Sequence, residues 1–132
     1  MATKWPEPGL ANVGSYQVAG HPYISGSTTM PAGQQMKFEF PYVTKTVTVV
    51  NHASQTLRVH FNASASGRVV DGVHFVELDS DEDSYTFNAK CKEIYISAPS
   101  TNSGASNFRV VAELTGIPTT SMYSLTGSGL TD

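Results

Sequence analysis

The chain has 132 residues and a formal net charge of −3, and its 8 lysines and arginines are scattered rather than clustered. That argues against non-specific nucleic-acid binding, which depends largely on neutralising phosphates, and no apolar stretch approaches the ~20 residues of a membrane-spanning helix. Charged residues make up only 14%, against a usual ~25%, and serine and threonine fill the gap, so the surface is polar but weakly charged and suited to cover by neighbours. The length fits one domain with one core. The lone Cys91 excludes an internal disulfide. Residues 1–10 lack the apolar run of a signal peptide, and synthesis in a cytoplasm is expected.

Residues 1–33 are interrupted by proline and glycine and hold few periodic positions, which predicts an extended N-terminal arm. Trp5, Leu10, Val13, Tyr16, Val18, Tyr23 and Ile24 are too apolar for a solvated tail, so the arm is expected to lie on this domain or on a neighbour. From residue 34 the pattern has period two. Met36, Phe38 and Phe40 alternate with Lys37 and Glu39, as in a half-buried strand. After Pro41, Val43, Val47 and Val49 alternate with Thr44, Thr46 and Thr48, a β-branched run that suits a pleated sheet. Asn51–Ser54 reads as a polar turn. Leu57, Val59 and Phe61 then alternate with Arg58, His60 and Asn62, so strands 43–50 and 55–62 are expected to form a hairpin.

Residues 62–67 are a loop of small residues. A strand over 69–78 follows, with Gly72 as a bulge candidate, and then the acidic turn Asp79–Asp83. Tyr85 and Phe87 mark a short strand, Ile94 and Ile96 the next. Residues 99–106 form a polar loop before the strand carrying Phe108, Val110, Ala112 and Leu114, with Arg109 and Glu113 facing out. Seven strands at this spacing predict an all-β domain: an antiparallel β-sandwich, jelly-roll-like, with extended N- and C-terminal arms. A small barrel is the main alternative. The core spans 34–114, with Phe38, Phe40, Val47, Val49, Leu57, Val59, Phe61, Phe87, Ile94, Ile96, Phe108 and Val110 pointing inward. Residues 115–132 form a C-terminal arm anchored by Met122, Tyr123, Leu125 and Leu130. Trp5, Tyr16, Tyr23, Tyr123 and Leu125 are the candidate interface residues of the two arms, since interfaces favour large aromatic and apolar anchors.

Catalytic chemistry finds little support. The acidic turn offers Asp79, Asp81 and Asp83 as the best metal candidates, but Ser84 and Lys90 stand where a calcium loop needs its glycine and closing glutamate. A solvated turn without bound metal is the expectation, unless another loop or subunit completes the site. Of the four histidines, His60 and His74 sit on strands expected to be neighbours, yet without an acidic or thiol partner they read as surface residues rather than a zinc pair. Lys90 and Lys92 flank Cys91 and would favour its thiolate, but no base is assigned to it. No nucleophile elbow, phosphate loop or dinucleotide fingerprint is present. Asn62-Ala63-Ser64 is a formal glycosylation sequon, read as chance without a secretory signal. Trp5, Tyr42, Tyr85 and Tyr95 would make an aromatic platform for sugars if they converged. Strand aromatics more often pack in cores.

The run Phe40-Pro41-Tyr42-Val43-Thr44-Lys45-Thr46-Val47-Thr48-Val49-Val50-Asn51, followed by Leu57-Arg58-Val59-His60-Phe61, resembles small virion proteins of tailed bacteriophages. Tyr85-Thr86-Phe87, Lys92-Glu93-Ile94-Tyr95-Ile96 and Phe108-Arg109-Val110 continue the likeness. It is most similar to the β-rich decoration, or cement, proteins of phage heads, and covers roughly residues 34–114 in style rather than by any short motif. The resemblance implies a structural role in the virion, homo-oligomers bound to the major capsid protein or another shell protein, no cofactor and no catalysis. A head–tail or tail component is the alternative within that class. A carbohydrate- or receptor-binding module is the alternative outside it, and an enzyme ranks last.

Overall fold

The computed structural model describes residues 21–63, 69, 74–79, 82–128 and 130–131. Within them the chain forms β1 (His21–Met30), β2 (Gln35–Glu39), β3 (Tyr42–Asn51), β4 (Leu57–His60), β5 (Val76–Leu78), β6 (Ser84–Phe87), β7 (Glu93–Ser97) and β8 (Ser106–Pro118), then a 3-10 turn at Thr119–Ser121. They make two antiparallel four-stranded sheets, β1-β8-β3-β6 and β2-β7-β4-β5. The pairing is nested: β1 with β8, β2 with β7, β3 with β6 and β4 with β5. Pairs β3–β8 and β4–β7 complete the sheets. Every step along the chain changes sheet, except that from β4 to β5.

The inner faces of the two sheets share one core. Phe38 meets Phe108 edge to face at 5.8 Å, and Tyr23 meets Phe40 the same way at 5.1 Å. Of the side chains expected to point inward, all but Phe61 and Phe87 are buried. Those two are half-buried at the core margin and meet edge to face at 5.3 Å. Burying each large apolar side chain is worth roughly 1.5–3 kcal/mol over leaving it exposed.

Local chemistry sets the corners. Gly33, with φ of 78°, turns β1 into β2, a left-handed conformation that glycine adopts without penalty, and its N–H donates to the Ala98 carbonyl at 2.9 Å. Pro41 sits where the chain leaves β2 for the other sheet, a point where a missing N–H costs no ladder bond. At the β3–β4 corner the side chain of Asn51, wholly buried, donates to the carbonyls of Gln55 at 2.7 Å and Leu78 at 3.0 Å. Its Oδ1 accepts from the Ala53 N–H at 3.0 Å.

This corner corrects the expected hairpin. β3 already has β8 on one side and β6 on the other, so β4 crosses to the opposite sheet and pairs with β7 and β5. The strand expected over 69–78 appears as β5 at Val76–Leu78, and Gly72 lies outside the described residues. His60 is 1% exposed rather than a surface residue. The arm boundaries also shift. Residues 21–30 are β1, hydrogen-bonded along β8, and β8 itself runs on to Pro118. Beyond it Met122 is buried with Val43 and Ile117, and Leu125 packs on both core clusters. The Lys92 ammonium donates to the Met122 carbonyl at 3.2 Å, and the Asn62 amide to the Leu125 carbonyl at 2.6 Å. The C-terminal segment thus folds onto its own sandwich as far as these residues.

Candidate interaction surface

The two outer faces of the sandwich differ in chemistry. On the β2-β7-β4-β5 face the charges pair with one another. The Lys37 ammonium lies 2.8 Å from Glu93 and 3.2 Å from Glu39, and Arg58 lies 3.7 Å from Glu77. Hydrogen bonds to Glu93 and then Glu39 hold Lys37 above the usual lysine range. The Arg58 guanidinium also sits 4.7 Å over the Phe75 ring. That face is ionic and partly covered by the chain itself.

The β1-β8-β3-β6 face is nearly neutral. Successive side chains on a strand alternate between faces, and the register aligns the outward ones in rows across the sheet. One row reads Ile24, Val111, Thr48, Thr86. The next reads Gly26, Arg109, Val50, Ser84, and the row on the other side Pro22, Glu113, Thr46. Ile24 is 70% exposed. The Thr48 and Thr86 hydroxyls bond each other at 2.8 Å, so this pair partly meets its own polar demand. Arg109 and Glu113 are the charged groups in these rows. Arg109 Nη1 donates to Asn107 Oδ1 at 3.0 Å and to the Phe108 carbonyl at 2.8 Å. Glu113 is exposed and forms no ion pair among the described residues.

A shallow groove of about 470 Å³ runs along β1 from Ile24 to Thr29 beside Arg109. Gly26 is part of its lining. A Cβ there would lie 2.2 Å from the Phe108 carbonyl oxygen, so the close approach of β1 to β8 requires glycine.

The residues singled out from the sequence fall in several places. Trp5, Tyr16 and Asp81 lie outside the described residues. Tyr23 and Leu125 pack against the domain's own core, Tyr23 because it stands on the inward register of β1 opposite Ala112. Tyr123 is 67% exposed. In the acidic turn, Asp83 Oδ2 accepts from the Asp79 N–H at 3.1 Å, and the Glu82 N–H donates to the Asn51 carbonyl at 2.6 Å. The turn is thereby tied to the β3–β4 corner. Among the described residues no three His, Cys, Asp or Glu side chains gather as a metal would require.

The His60 ring nitrogens contact the Asn62 carbonyl at 2.6 Å and Ser97 Oγ at 2.8 Å, so they are not presented to His74. Burial lowers the His60 pKa below its usual value, opposed by the Asn62 carbonyl bond and aided by the nearby Arg58 charge. Burial likewise pushes the Cys91 thiol up to about 11 despite its bond to Thr44, the opposite direction to the one expected from the flanking lysines. Asn62, the sequon residue, commits its amide to Leu125. The tyrosines do not converge: Tyr42 stacks on His21, Tyr85 meets Phe87 at a tilt, and Tyr95 stacks on His60 in the opposite sheet.

In the sequence Ile24 stood out only as one apolar residue of the N-terminal arm, and the row it starts was not visible. The signal was the threonine alternation of β3, whose polar side is one stripe of a face shared with β1 and β8. Compared with protein-family models, curated proteins and solved structures, the chain matches none.

Proposed function

We propose that this chain is a structural protein of a virion, a decoration or cement protein of a capsid lattice, whose assembly surface is the outer face of the β1-β8-β3-β6 sheet. The observation that carries the reading is the contrast between the two outer faces. One is closed by its own ion pairs, while the other offers β-branched side chains around the exposed Ile24. Fully burying such a side chain is worth roughly 1.5–3 kcal/mol, and repetition around a shell multiplies a modest contact through avidity.

The fold supports the same reading. The nested strand order 1-8-3-6 and 2-7-4-5 is what results from rolling up one long antiparallel hairpin, so we assign the sandwich to the jelly-roll type. That architecture serves viral capsid proteins, and also lectins and cupins. The scattered tyrosines weigh against the lectin use. Fold alone does not decide function, and the neutral face is what separates an assembly role from these others. The test is quantitative mass spectrometry of purified particles of the virus that encodes the chain. A copy number matching capsid lattice sites is expected. Absence from the particle would overturn the reading, and a handful of copies would move the protein to the tail.

A further inference from the structure

We propose that the occupant of the neutral face is a second copy of this chain, packed face to face about a twofold axis that runs across the strands along the row Ile24, Val111, Thr48, Thr86. The inference rests on the reading of that face as an assembly surface and adds the identity of its partner. Charge placement carries it. Arg109 and Glu113 stand two residues to either side of Val111 on β8, so all three share one face and the charges are symmetric about the row.

A twofold axis across the strands reverses strand direction over itself. It sets Ile24 on Ile24 and Val111 on Val111, and it brings Arg109 over the partner subunit's Glu113, and Glu113 over the partner subunit's Arg109. An axis along the strands would instead lay Arg109 on Arg109 and Glu113 on Glu113, a like-charge arrangement that interfaces avoid. The charge pattern therefore selects one symmetry over the other. Shape agrees with it. The same axis places the Pro22 row of one copy over the Gly26 row of the other, so a proline ring meets the groove at its one lining residue without a side chain. An interface in which the same patch serves both copies is the commonest form of closed homo-oligomer.

Arg109 can take part because a guanidinium carries five N–H donors, and the bonds to Asn107 and Phe108 involve Nη1 alone. Glu113 is exposed, so its carboxylate is open to the partner.

The experiment is sedimentation equilibrium of the full chain and four variants at low salt, with circular dichroism and melting curves to confirm folding. R109E makes both charges on the face negative, and E113R makes both positive. Each alone is expected to weaken self-association at least about tenfold. An equimolar mixture of the two is expected to form a heterodimer, and the double variant R109E/E113R to pair like the native chain. Ile24→Asp, at a largely exposed site, is expected to abolish pairing by an independent route. The proposal is overturned if the native chain stays monomeric, if either charge variant or Ile24→Asp pairs as the native chain does, or if the mixture fails to associate. Particle association is read separately. A chain that is monomeric in solution yet abundant on particles sinks the twofold pairing and keeps the virion reading. A chain that pairs but is missing from particles does the reverse.

Discussion

Replacing Asn51 by alanine tests whether the β3–β4 corner is a buried structural joint or a solvated turn. The substitution removes the side-chain bonds to the Gln55 and Leu78 carbonyls and to the Ala53 N–H. Each bond is worth roughly 1 kcal/mol net, and stranding a buried group such as the Leu78 carbonyl costs about 1–3 kcal/mol more. The expected loss is roughly 4–6 kcal/mol, or about 15–25 °C in Tm at this chain length. Asn51→Asp is the control. It keeps an acceptor for Ala53 but sets a carboxylate against two carbonyl oxygens, so it is expected to destabilise at least as much. Urea titrations followed by circular dichroism give the midpoints, with unchanged m-values showing that unfolding stays two-state. A loss below about 1 kcal/mol for Asn51→Ala would mean that the corner is not held by this side chain.

Phe108→Ala is expected to cost about 3–5 kcal/mol, because Phe108 is fully buried against Phe38. Phe61→Ala is expected to cost clearly less in the same urea assay, since Phe61 is half-buried at the core margin, and equal losses would contradict that placement. Stability should fall on acidification through His60. Its folded pKa lies below the ordinary 6.5, so the unfolded chain takes up the proton first, and stability is full above pH 6.5 and declines below it. Urea midpoints at neutral and mildly acidic pH for the native chain and His60→Gln check this, and an identical decline in both would exclude His60 as the source. Gly26→Ala is expected to destabilise through the clash of its Cβ with the Phe108 carbonyl, and a melting temperature equal to the native one would show that β1 does not approach β8 so closely.

The strands from β2 to β8 were legible in the sequence because their apolar residues alternate, and alternation reports which side of a strand meets the core. It does not report which strand lies alongside. That is why β3 and β4 read as a hairpin when they belong to different sheets. β1 was hidden for another reason. Its run Ser25-Gly26-Ser27-Thr28-Thr29 is an edge strand of small residues, most of it outside the core, so it carries no hydrophobic alternation. His60 broke the pattern because it is buried on the outer side of its sheet, stacked on Tyr95 and bonded to Ser97. Thr44 is buried beside Val43 for a related reason, since the β3–β8 register shifts around it. At the candidate face, the outward setting of Arg109 and Glu113 was readable from β8 alone. Their place in a surface shared with β1 and β3 required the register between strands.

The central claim is that the β1-β8-β3-β6 face is the one covered on assembly. A cryo-electron microscopy map of the particle, fine enough to place the strands of this domain, tests it directly. The expected result is Ile24 and Val111 buried against a neighbouring subunit, with the Lys37–Glu93 face open to solvent. Density showing the Lys37–Glu93 face in contact and Ile24 in solvent would contradict it.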